Sequence, residues 1–186
     1  MNWHSSFWPC FCAVLLFSGL PRAALAEAYG FKGVLLGSHA NQIASNPKFA
    51  CQVVKTPTAD RVCALGKDDS ETIAGVPVRS LFYFYDQATL TGITVSLEEK
   101  HYQAVIDALT QKYGAPTRNV ESIKTLSGES HQNIIHRWRQ PGQSIVAQRY
   151  AGRIDQSSVR ISDDTAAERI RQRREAIARD PKLARR

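Results

Sequence analysis

The feature that most restricts the fold is a series of short strand-like windows joined by hairpin-sized turns. Residues 78–85 (VRSLFYFY) form the most β-like stretch, and Asp86-Gln87-Ala88 turns it into residues 90–97. Windows at 49–54 and 61–65 flank the turn-rich segment 55–60. Four more lie at 118–126, 133–139, 144–150 and 158–162, with Pro141-Gly142 as a strong turn between the second and third. No helical crossover separates strands that follow one another, so the sheet is expected to be antiparallel.

Helices punctuate this series at three places. Ser38 is placed to cap a helix over 39–45, which Asn46-Pro47 ends. Ser96 and Glu99 have capping-box spacing ahead of a helix running to Tyr113. Its apolar positions Tyr102, Val105, Ile106, Leu109 and Tyr113 recur at helical spacing, and Gly114 and Pro116 close it. Asp163 and Asp164 open a third helix over 165–179. The order predicts an α+β fold in one domain over 27–164, with helices packed on one face of a curved antiparallel sheet. It hints at a degenerate tandem repeat of one helix plus four strands, followed by a basic helix and tail over 165–186.

The first 26 residues read as a secretory signal peptide. The apolar run 11–20 is about half the length needed to cross a bilayer, and Ala24-Leu25-Ala26 supplies small residues for cleavage. A second cut after Ala28 fits the same pattern. Removing this segment removes Cys10 and Cys12 and leaves Cys51 and Cys63, which in an exported protein most simply form one disulfide. Export places the chain in the periplasm or the secreted space.

The formal charge is +7, yet residues 168–186 hold eight Lys or Arg against three Asp or Glu. The basic character belongs to the tail, and the body is close to neutral.

The segment Phe31-Lys32-Gly33-Val34-Leu35-Leu36-Gly37-Ser38 with its following helix, and Lys112-Tyr113-Gly114-Ala115-Pro116, resemble small exported proteins of the BamE type. The tandem order looks like the β-lactamase inhibitory protein architecture, in which helix-plus-sheet repeats form one curved sheet. The resemblance implies an envelope or secreted binding protein. BamE-type proteins are usually lipid-anchored through a cysteine, which is absent after the cut site here, and no binding residue carries over.

A search for chemistry returns no motif. Gly37-Ser38-His39 lacks the second glycine of a nucleophile elbow. His131 and His136 lie five apart, an offset that points strand side chains to opposite faces. Residues 68–71 lack the oxygen spacing of a calcium loop, and no glycine-rich phosphate loop is present. No cofactor, metal or nucleic-acid partner is expected.

Two surfaces carry functional expectations. One is an open sheet face bearing Tyr83, Tyr85, Arg137, Arg139 and Arg149, since Tyr and Arg are enriched at interface hot spots. The other is the basic helix with Arg169, Arg171, Arg173 and Arg174, suited to anionic lipid or cell-wall polymer. The leading expectation is a non-enzymatic protein that binds another envelope or secreted protein. The alternatives are a tether to an anionic surface, and an envelope hydrolase assembled from scattered residues such as His101, Asp107 and His136.

Overall fold

The computed structural model describes residues 27–180. The expected signal peptide, residues 1–26, and the last residues of the tail therefore lie outside the described part, whereas the second expected cut, after Ala28, falls inside it. The elements are β1 (Gly30–Phe31), β2 (Val34–Leu35), α1 (Asn41–Ala44), β3 (Phe49–Thr56), β4 (Ala59–Leu65), β5 (Thr72–Ile73), β6 (Val76–Pro77), β7 (Ser80–Asp86) and β8 (Thr89–Glu98). After a 3-10 turn at Glu99–His101 come α2 (Tyr102–Tyr113), β9 (Thr117–Lys124), β10 (Ser130–Gln140), β11 (Gln143–Gln148), β12 (Gln156–Asp163) and α3 (Asp164–Arg179).

Eight strands form one sheet in the order β3-β4-β7-β8-β12-β11-β10-β9, every neighbour antiparallel. They occupy the eight windows read from the sequence. Two four-strand meanders, β3-β4-β7-β8 and β9–β12, meet at the β8–β12 pair. The small pairs β1-β2 and β5-β6 were not anticipated, being too short to show a period.

The α+β class, with helices layered on one sheet face, is overturned. Strand accounts for 48% and helix for 23% of the described residues, which makes the fold mainly β. The helical layer is missing because the three helices are unequal. α1 is a single turn with one buried side chain, Ile43, and Ser38 Oγ makes no cap. In α3 only Ala166 is fully buried. Only α2 buries a full stripe, Tyr102, Val105, Ile106 and Leu109. The two halves thus differ too much for a helix-plus-four-strand repeat. The core face of the sheet is covered by α2 together with the irregular N-terminal stretch that supplies Tyr29, Phe31, Val34 and Leu36.

Local chemistry explains the ends. The capping box read at Ser96 does not form, because Ser96 is still in β8 and α2 has no side-chain cap. Asp163 caps α3, its Oδ1 accepting from Ala166 N at 2.8 Å. Trp138 Nε1 donates to Gly114 O at 2.8 Å, tying the end of α2 to β10.

The β7–β8 turn places Gln87 and Ala88 at φ 53° and 61°, a left-handed pair without glycine. That geometry suits the twist of a two-residue hairpin but is unfavourable for side-chain-bearing residues. Two outside contacts hold it: Gln87 N donates to Asp60 Oδ2 at 2.7 Å, and Ala40 N donates to Ala88 O at 2.9 Å.

Candidate functional site

Cross-strand register decides which side chains share a face. One row across the sheet runs Cys51, Cys63, Tyr83, Ile93, Ile161, Ile145 and Trp138. This is the core face. Cys51 and Cys63 stand directly opposite each other there and form a disulfide. A disulfide fits an oxidising compartment outside the cytosol.

Tyr83 and Tyr85 are 1% and 0% exposed and lie in the core. Burial drives the Tyr83 phenol far above its ordinary range, and pushes Tyr85 up to about 12. Their placement on an open face is therefore corrected, and neither can touch a partner. The residues between them in sequence, Phe82 and Phe84, take the other face. Phe84 pairs with Gly92, Gly92 with Ser162, Ser162 with Ser144 and Ser144 with Arg139. Phe82 belongs to the row through Thr94, Arg160, Val146 and Arg137. The outer face thus joins Phe82 and Phe84 to Arg137, Arg139 and Arg160.

Arg149 is also misplaced by the sequence reading. It lies toward α2, where its Nε meets Glu99 Oε1 at 2.5 Å and its guanidinium stacks 5.1 Å from the Tyr150 ring. By contrast, Arg137, Arg139 and Arg160 make no ion pair among the described residues. Arg139 and Arg160 are exposed and Arg137 is half-buried. Arg160 escaped the sequence reading because a lone arginine in a strand reveals its face only through register.

The four candidate arginines of α3, Arg169, Arg171, Arg173 and Arg174, divide in two. Arg171 is held by Glu168 and Glu175, each at 2.7 Å, and Arg173 reaches Asp86 at 3.3 Å. Arg169 and Arg174 have no ion pair among the described residues. Glu175 also meets Arg179, at 3.7 Å, so it joins two arginines at helical i,i+4 spacing. Next to this helix, Phe84, Gly92, Arg160, Ala167, Ile170 and Arg174 line an open groove of about 460 Å³.

His101, Asp107 and His136 are joined by no hydrogen bond or ion pair among the described residues. Asp107 Oδ1 accepts from Gln103 Nε2 at 2.8 Å and is exposed. His136 is buried beside the Tyr102 hydroxyl, with Nδ1 at 2.9 Å. The phenol also lies 2.9 Å from Ile134 O, so it donates to that carbonyl and accepts from the Nδ1–H of a neutral imidazole. Burial first, then Arg118, holds His136 below its ordinary range, which favours that neutral form.

No family model, no curated protein and no solved structure matches this chain. The function must be read from the molecule's own surface.

Proposed function

We propose that this chain is an exported, non-enzymatic binding protein that captures an acidic protein partner on the outer face of its sheet. The periplasm or secreted space is where we place it, since the Cys51–Cys63 bridge suits an oxidising compartment. The observation that carries the reading is that one sheet face bears Arg137, Arg139 and Arg160, which make no ion pair among the described residues, together with the half-buried rings of Phe82 and Phe84 two and four strands along the sheet. Arginine forks and aromatic rings supply most hot-spot energy in protein interfaces. Arginine without an internal carboxylate keeps its donors for an external one. The experiment is affinity capture from an envelope extract with the wild type and with Arg137→Glu/Arg139→Glu. Charge reversal is expected to reduce capture by about tenfold or more, since each lost charged contact is worth roughly 2 kcal/mol. Undiminished capture by the reversed variant sinks the reading.

A second reading, attachment to an anionic surface through α3, is favoured by the exposure of Arg169 and Arg174 on that helix. Its check is co-sedimentation with anionic vesicles at low and high salt. Arg169→Gln/Arg174→Gln is expected to release the protein, and binding that ignores both salt and substitution removes this reading.

A further inference from the structure

We infer that the groove between α3 and the sheet binds a single-chain amphiphile, an acyl chain carrying one anionic head; the groove shares Phe84 and Arg160 with the capture face above, and its test leaves Arg137 and Arg139 untouched. Three observations converge on it. Its lining includes the apolar Phe84 and Gly92 on the sheet side and Ala167 and Ile170 on the helix side, together with the hydroxyl residues Thr58, Thr91, Thr94 and Ser162. Its volume of about 460 Å³ falls within the range of small-ligand sites, roughly 300–1,000 Å³. Arg160 and Arg174 line it as well, both exposed; among the described residues neither makes an ion pair and no carboxylate lines the groove. Arg171 also lines it, but Glu168 and Glu175 already hold that guanidinium.

The floor discriminates between an acyl chain and a peptide. β7, β8 and β12 are interior strands of the sheet, so their backbone N–H and C=O groups are engaged in ladders on both sides. A peptide laid on this floor would find no backbone ladder to join and only the separate hydroxyls of Thr91, Thr94 and Ser162 to meet its amides, too few for a regular run of peptide groups. A hydrocarbon chain has no such groups. It gains by leaving water, while its charged head forms charge-assisted hydrogen bonds with the two arginines.

Gly92 provides the plug. A Cβ built there meets Ile161 O at 3.6 Å and Phe84 Cβ at 3.9 Å, both ordinary contacts, and it shares the face of Phe84. A leucine at this position therefore fits the backbone and fills the groove.

The test uses the purified full-length chain without detergent and a fluorescent fatty acid as the reporter. Palmitate, its uncharged methyl ester and inorganic phosphate serve as competitors. Palmitate is expected to displace the reporter, the ester to be about tenfold weaker or worse, and phosphate to have no effect. Arg160→Gln/Arg174→Gln is expected to weaken palmitate by about tenfold or more, and Gly92→Leu to abolish binding while keeping the wild-type circular dichroism. Arg169→Gln, on the same helix but outside the groove, is expected to bind as the wild type does. Failure of palmitate to displace the reporter overturns the inference. So does phosphate competing as well as palmitate, or Arg169→Gln weakening binding as much as the groove pair. If Gly92→Leu does not fold, the exposed arginine pair still decides the outcome.

Discussion

Asp86, at the end of β7, is 7% exposed, and its carboxylate meets the Arg173 guanidinium of α3 at 3.3 Å across 87 positions of sequence. This contact joins the terminal helix to the sheet beside the tight β7–β8 turn. Arg173 is 41% exposed at its side chain, so solvent screens its half of the interaction. Removing it nevertheless leaves a buried carboxylate short of a partner. Arg173→Ala is expected to cost about 1–2 kcal/mol in urea unfolding and to raise amide exchange selectively in α3. Unchanged exchange in α3 would show that the helix is held by its apolar contacts alone.

The same turn offers a stabilising substitution. Ala88 sits at φ 61°, where glycine carries no penalty and alanine does. Ala88→Gly is expected to raise stability by about 0.5–1 kcal/mol, read as a higher urea midpoint at constant m value. A lower midpoint would mean that the loss of unfolded-state restriction outweighs the relief of strain.

The Cys51–Cys63 bridge closes a loop of sequence separation 12. In the chain-entropy model such a link contributes about 3 kcal/mol. Cys51→Ala/Cys63→Ala is expected to lose roughly that amount, with a native far-ultraviolet spectrum, because the β3–β4 register has its own ladder. A loss well under about 1 kcal/mol would place the stabilisation elsewhere.

Alternation along β7 predicts opposite outcomes for adjacent residues. Tyr83 is buried in the core beside Phe49, with ring centroids 5.4 Å apart, so Tyr83→Ala is expected to cost about 3–5 kcal/mol. Phe84 lies on the outer face, half-buried, and Phe84→Ala is expected to cost about 1–2 kcal/mol. The comparison is made in urea. Equal costs would contradict the assignment of faces.

His136 gives a pH dependence of known sign. Its folded pKa is depressed, by burial and by Arg118, so above about 6.5 both folded and unfolded forms are neutral and the full stability is present. As pH falls below that value the unfolded chain takes up the proton first, and stability declines until the folded pKa is passed. The groups facing His136 are the Tyr102 phenol from α2 and Arg118 from β9, directly opposite it in register. His136→Gln is expected to flatten the urea midpoint between about pH 6.5 and 5 relative to the wild type. Parallel profiles would assign the acid sensitivity to carboxylates instead.

Elements with local causes are legible in the residues alone. Windows of β-branched and aromatic residues separated by turn formers located all eight strands of the main sheet. The stripe of Tyr102, Val105, Ile106 and Leu109 is the stripe that α2 buries, and Gly114 at φ 82° follows its last turn. Two cysteines on neighbouring windows were enough to place the disulfide.

Which face is inside, and what covers it, depends on contacts between distant segments. A strand such as 80–86 has two nearly equivalent faces, one of Tyr and Leu and one of Phe, and local sequence cannot rank them. Register ranks them, since Tyr83 is carried in line with Cys63, Ile93 and Trp138, whereas Phe82 and Phe84 are carried in line with arginines. The fold class turned on the same kind of non-local fact. A helical layer requires long buried stripes, and α1 and α3 bury only Ile43 and Ala166, while the N-terminal segment with β1 and β2 joins α2 in the core. Burial is a property of pairs of distant segments, and a single chain of letters specifies it only once those segments have met.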